Sequence, residues 1–346
     1  MRILTFFIII LCGSAAEKLK VCVTVPDMAN LCMAVGGQEV EVSTLVLPAQ
    51  SPHLLKSKPI NLVRLKEAQL FIKSGFELEA AWLPKLLQEC GNKQIQAGQQ
   101  AHLDPSSIIK PIVTGRGTFT RLTGRGQVKV NPHYLLDPVN ALLTAQLICS
   151  RLKTVKPEKT TYFNERRSNF QMNLWTKLIG HKMAAAYDSA KLTKLIKRGK
   201  LEETIISLSK EVDIGGWLGK MKHQQGQKYI VDYHSYAYFF RRFGLVKLAA
   251  LKPSPNALLN DTQLEKLKNS LEEKKVAGLV TNPWFSRNII TKFLANAPFK
   301  EIKLAHQSLD LKGGESYIKM IGENVEKLMI SPNPRKLPTS RKKNKN

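Results

Sequence analysis

Short β-branched runs alternate with helical stretches twice along this 346-residue chain, and a stretch suited to long helices separates the two series. Strand–helix alternation of this kind leaves few folds open, because parallel strands must be joined by crossovers and the crossovers are usually helices. In the first series "KLKVCVTVP", "VEVSTLV" and "QLFIKSG" read as strands. "DMANLCMAVGG", "PINLVRLKEA" and "ELEAAWLPKLLQEC" read as the helices, the last bent at Pro84. From Asp137 to about His181 glycine becomes scarce and long helices are expected, the second running from Pro157 as a stiff connector. "LTKLIKRGKLEETIISLSKEV" adds further helical sequence. The alternation then resumes with "KYIVDY", "VKLAAL", "AGLVT" and "EIKLA" as strands, and helices are expected around 236–243, 262–274 and 287–295. The class is therefore α/β, with two similar lobes, each a mostly parallel sheet flanked by helices, joined by a rigid helix. The lobes are expected over 17–156 and 182–330, with the linker over 157–181.

The chain opens as an exported protein would. Arg2, an apolar run from Ile3 to Leu11 and the small residues Gly13 to Ala16 have the order of a signal peptide, 1–16, cleaved after Ala16. Lipidation of Cys12 is the lesser reading, since bulky Leu11 precedes it. No later segment has the length and apolarity of a membrane span. The expected location is periplasmic or otherwise extracytoplasmic. Cys22, Cys32, Cys90 and Cys149 are too scattered for a zinc knuckle and read as buried thiols or one disulfide.

A formal charge of +26 would suit a nucleic-acid or anionic-surface binder, yet most basic residues are spread through helices as solvated faces. No helix-turn-helix, zinc-finger or RNA-binding signature accompanies the charge, so no nucleic-acid partner is expected. The tail 331–346 is the exception: from Pro334 to Asn346 it carries six basic residues and no acid. It is expected to be disordered, and an anionic lipid or cell-surface polymer is the contact it would make. The protein is expected to be a monomer.

Three histidines stand at strand ends or in loops: His53 in "PAQSPHLLKSKP", His133 in "KVNPHYLLDP" and His234 in "KYIVDYHSYAYFF". Open α/β sheets place ligands beyond the carboxyl ends of their strands, where these three can converge. Asp310 in "HQSLDLKGG" follows the last strand and could add a carboxylate. Neutral imidazoles with one carboxylate suit tetrahedral zinc better than manganese, which prefers more oxygen ligands. His102, His181, His223 and His306 are read as surface or hydrogen-bonded residues.

From about Lys18 to about Leu328 the sequence resembles the zinc/manganese solute-binding proteins of bacterial ABC importers. "VTVPDMANLCMAVGG", followed by "VEVSTLVLPAQSPH", is similar to the family's first-ligand segment, and "EAQLFIKSGFELEAAWLPKLL" to its next helix. "NPHYLLDPVNALLTAQLI" resembles the second-ligand motif, "YHSYAYFFRRFGL" the third and "LDLKGGESYIKMIGENVEKL" the closing segment with its carboxylate. The resemblance implies a metal cleft between the lobes, with His53, His133, His234 and Asp310 as ligands. It also implies a membrane permease as partner, little hinge motion about the stiff linker, and no catalysis. Binding should weaken at acid pH, because protons compete for the imidazoles.

Three departures stand out. The segment "IIKPIVTGRGTFTRLTGRGQVK" is basic and has no histidine where zinc-selective members carry a His- and acid-rich loop. Asn282 stands where an acidic residue is common, and the stretch from about Ala184 to Met221 is longer than in compact members. Two other functions fit less of the sequence. A secreted zinc hydrolase needs a general base, and no proposed ligand has a Glu beside it. A binding module for nucleic acid or anionic surfaces rests on the charge alone, and an adhesin role has no sequence feature of its own.

Overall fold

The computed structural model describes residues 17–48, 50–116, 128–252, 259–271, 274–283, 285–295, 297–330 and 335–336. The expected signal segment 1–16 with Cys12, nearly all of the tail 331–346, and part of the basic histidine-free segment lie outside them.

Strand β1 (Leu19–Val23) leads into α1 (Pro26–Gly36), β2 (Val40–Thr44), α2 (Pro59–Glu67), β3 (Leu70–Ile72), α3 (Leu83–Glu89) and β4 (His102–Leu103). The four strands form one parallel sheet in the order β2-β1-β3-β4. An antiparallel pair, β5 (Val113–Arg116) and β6 (Val128–Val130), precedes α4 (Pro138–Val155) and α5 (Thr160–Ile179). Four shorter helices follow: α6 (His181–Ala184), α7 (Ser189–Lys197), α8 (Leu201–Lys210) and α9 (Gly216–Met221). The second series is β7 (Lys228–Val231), α10 (Ala237–Phe243), β8 (Val246–Ala250), α11 (Asp261–Leu271), β9 (Lys275–Val276), β10 (Gly278–Thr281), α12 (Arg287–Leu294), β11 (Glu301–Lys303) and α13 (Gly314–Met329). Its main sheet is again parallel, in the order β11-β10-β7-β8, while β9 pairs antiparallel with β12 (Arg335–Lys336). Read from the second strand of each series, both sheets have the order second, first, third, fourth.

The central strands are buried along nearly their whole length, as parallel strands covered on both faces must be. One face of the first sheet packs Cys22 and Phe71 against Leu65 of α2 and Leu83, Leu86 and Leu87 of α3. One face of the second packs Ile230 and Leu279 against Leu264 and Leu271 of α11 and Ile289, Ile290 and Phe293 of α12. The opposite faces share one continuous core, which takes Val21 and Val23, Tyr229 and Val231, and residues of α1, α4, α5 and α13.

Helix α5 is the shared beam of this layer. Phe163, Arg167, Phe170, Gln171, Leu174, Trp175 and Leu178 are buried at helical spacing, so one stripe faces the core along the whole helix. It touches α1 and α4 on one side and α9 and α13 on the other. At its end Gly180 has φ +83, and a Cβ there would lie 2.7 Å from the Gly215 Cα. The Gly215–Gly216 pair of "GGWLGKM" thus lets α9 approach the end of α5 more closely than any side chain permits. The long joining helix is therefore packed along its length, and bending it would open the core.

Pro84 starts a helix rather than bending one: α3 begins at Leu83, and residues 77–82 are turns, with Phe76 and Glu77 at φ 47 and 62. Among the described residues Cys22, Cys32, Cys90 and Cys149 are buried free thiols. Among the described residues no helix is long and apolar enough to cross a membrane.

Candidate metal centre

The carboxyl ends of the strands in both sheets open onto one cavity of about 480 Å³. His53 reaches it from the loop after β2, His234 from the turn after β7 and His306 from the loop after β11. His133 follows β6 and is buried beside them. Its Nε2 lies 3.0 Å from Nε2 of His53, one imidazole donating to the other, and its ring centroid is 5.1 Å from that of His306. Among the described residues no three His, Cys, Asp or Glu side chains stand close enough together to hold an ion at once.

Asp310 stands elsewhere. The chain leaves β11 through His306 and then runs across α1, so that the Asp310 main-chain carbonyl accepts from Asn30 Nδ2 at 3.0 Å. Asp310 is absent from the cavity lining, and His306 occupies the strand-end position instead. From sequence alone His306 reads as an isolated loop histidine, and its position directly beyond "EIKLA" is the feature that marks it as a strand-end residue.

Local bonds explain how the histidines are held. Asn131 accepts from the His133 amide at 2.9 Å and donates to the His234 carbonyl at 2.5 Å, so one side chain spans both segments. Four residues beyond His133, the wholly buried Asp137 caps α4 by accepting from Val139 N at 3.0 Å. Its carboxylate also takes a two-pronged contact from Arg242 of α10, at 2.8 and 2.9 Å. Beneath His234, buried Asp232 accepts from the amides of Tyr233 and Asn282, tying the loops after β7 and β10 together. Gln307 donates to the carbonyls of Pro48 and Gln50, both at 2.9 Å, which fixes the approach to His53.

Burial keeps these imidazoles neutral. It pushes His53 down to about 4, with help from Lys252 and Lys129, and His234 down to about 4, with help from Lys247 and Lys129. His306 falls to about 3 through burial and the nearby His53. His133 is lowered well below its ordinary value by burial, then by His53 and His306. Neutral imidazole is the form that binds a metal, so the acid window in which protons compete lies near pH 4 rather than near an exposed histidine's ~6.5. Asp232 moves the other way: burial raises it to about 7.

Imidazole is a donor that suits a borderline cation, and imidazoles from both lobes stand at the strand ends. The chain matches the ZnuA family, described as zinc-uptake complex component A, periplasmic, over residues 21–194 and 216–329. It belongs to that family. The family is a component of an uptake system rather than an enzyme. The high-affinity zinc uptake system protein ZnuA of Yersinia pestis is 22% identical over 317 residues, covering 87% of each chain. The manganese ABC transporter substrate-binding lipoprotein PsaA of Streptococcus pneumoniae is 25% identical over 165 residues, 46% of this chain and 49% of that one. The chain spans about half the length of the first curated relatives it matches. Among solved structures, the periplasmic zinc-binding protein TroA of Treponema pallidum superposes with a TM-score of 0.64 at 15% identity, covering 91% of this chain and 99% of that one. At that identity the likeness establishes the shared two-lobed fold. The gap in the family match, 195–215, falls within the stretch already read as longer than in compact members.

Proposed function

We propose that this chain is the extracytoplasmic receptor of an ABC importer, capturing a divalent transition-metal ion and presenting it to the membrane permease. The observation that carries the reading is the approach of four imidazoles to one cavity, His53 and His133 from the first lobe and His234 and His306 from the second. In this reading the four histidines are the ligands, and His306 takes the place first assigned to Asp310. Zinc is the favoured cargo, because an all-imidazole set suits it better than it suits manganese. The apolar N-terminal run serves as the export signal, and the basic tail meets an anionic surface near the membrane.

The test is elemental analysis of residues 17–346 after exposure to an equimolar mixture of zinc, manganese, copper and nickel. Zinc bound at one per chain in the wild type, and lost in His133→Ala, is the expected result. Failure to retain any metal would leave the family fold without the family's function.

A further inference from the structure

The cavity is both larger and more basic than a lone cation requires. Its volume of about 480 Å³ lies in the range of pockets that enclose small organic molecules. A single water, by comparison, takes roughly 30 Å³ of liquid.

Charge is the stronger constraint. Lys129 and Lys252 line the cavity, and neither pairs with a carboxylate among the described residues. A third cation, Lys247, sets its Nζ 2.9 Å from His234 Nδ1. The carboxylate in the lining is Glu77, which is exposed. A bare divalent ion held by neutral imidazoles would bring two more positive charges among these ammonium groups with little to offset them. Like charges in a partly desolvated site repel strongly. The rest of the wall is mixed: Ser51 and Ser235 offer hydroxyls, while Phe76, Leu78 and Phe285 give an apolar surface. An inorganic anion would neutralise the charge but leave that apolar wall without a partner.

We propose that the cargo enters this cavity as a complex of the metal ion with a small polydentate carboxylate. On entry the imidazoles that line the cavity, His53, His234 and His306, bind one side of the ion before His133 joins them, the chelator's oxygens occupy the positions left open, and its negative charge meets Lys129 and Lys252. The carbon skeleton lies against Phe76 and Phe285. This inference rests on the reading of the histidines as metal ligands and names the form in which the metal arrives.

Native mass spectrometry of the full chain tests it, with zinc alone, zinc with citrate, zinc with L-histidine, zinc with inorganic phosphate, and each chelator without zinc. The expected result is a species holding one zinc and one citrate or L-histidine per chain, with neither chelator retained when zinc is left out. In K129Q/K252Q the balance should invert: zinc alone binds more tightly as repulsion falls, and the chelate binds more weakly by about tenfold or more. Zinc retained with both chelators left behind would overturn the proposal while leaving the receptor reading intact. Phosphate retained as well as the carboxylates would overturn it in favour of an inorganic counterion. No zinc retained under any condition would remove both readings together.

Discussion

The two lobes share one strand order, yet they place different chemistry at corresponding points. Beyond the second strand of each sheet stands His53 in the first lobe and Lys252 in the second. Beyond the first strand, the first lobe has the buried Asp27 at the start of an apolar helix, and the second has His234. Beyond the fourth, Asp104 pairs with Lys73 at 3.2 Å in one lobe, while His306 enters the cavity in the other. Topology therefore decides where a site can form, and individual loop residues decide which lobe contributes a ligand, a counter-charge or a structural bond. The outer helix pairs stabilise each lobe separately, whereas several bonds that set the site cross between lobes, from Asn131 to His234, Gln307 to the His53 loop and Arg242 to Asp137.

Breaking a crossing bond should cost far more than breaking a bond within one lobe. Arg242 is 4% exposed and Asp137 wholly buried, so Arg242→Ala leaves a buried carboxylate with only the Val139 amide and the more distant Arg241, 3.7 Å away. We expect a loss of about 3–5 kcal/mol in denaturant unfolding. Lys292→Ala removes an exposed contact to Asp261, within the second lobe, and should cost no more than about 1 kcal/mol. Equal losses would mean that the lobes are held together by the shared core alone.

The next contrast separates the carboxylate first read as a ligand from the imidazole that occupies the strand end. His133→Ala and His306→Ala should each weaken zinc binding by about 100-fold or more, beyond the usual cost of removing an outer-shell partner. Asp310→Ala should change it by no more than about threefold, and His223→Ala not at all; threefold is under 1 kcal/mol. Competition against a chelator reads all four. A large effect at Asp310 with none at His306 would restore the carboxylate to the site.

This contrast also marks where the sequence stops being legible. Runs such as "KYIVDY" and "AGLVT" announce β7 and β10 because strands buried on both faces need β-branched and apolar residues throughout. Strand β4, of two residues, and the β5–β6 pair are too short for any periodicity to show. Pro84 is visible as a helix signal, but its role depends on whether the preceding residues turn, and the positive φ at Phe76 and Glu77 has no marker in composition. His53, His133 and His234 can be picked out because each adjoins a readable strand or proline turn. Where His306 and Asp310 stand relative to the cavity depends on the path of the chain across α1, and hydrogen bonds to Asn30 and Asp27 fix that path.

That path yields a smaller effect. Gln307 clamps the His53 loop by donating to two carbonyls of the opposite lobe, and Ser308 donates from its amide and hydroxyl to Asp27 at 2.7 and 2.6 Å. Gln307→Ala should cost about 1–2 kcal/mol. Hydrogen exchange should quicken at residues 45–50 and remain slow in α11 and α12. Uniform quickening across both lobes would show that the clamp contributes to global stability rather than to the position of His53.

The smallest expected change is in the response of zinc affinity to acid. For an exposed imidazole, lowering the pH from about 7.5 to about 5.5 costs roughly tenfold in the neutral form, so four ligands would lose several powers of ten. Here burial holds His53 and His234 near about 4 and His306 near about 3, so all three stay neutral through that range. Affinity should hold within about twofold down to pH ~5.5 and fall steeply below pH ~4. The metal-free fold should respond in the opposite region. Between the unfolded value of ~6.5 and the folded values, these histidines bind protons only in the unfolded state, so they lower stability as pH falls. Asp27 and Asp232, raised by burial to about 6 and about 7, bind protons in the folded state and oppose that loss. Titration calorimetry across the range separates the two: a steep decline in affinity already at pH ~6 would mean that the imidazoles are solvated before the metal arrives, and that the two lobes stand further apart than their shared core implies.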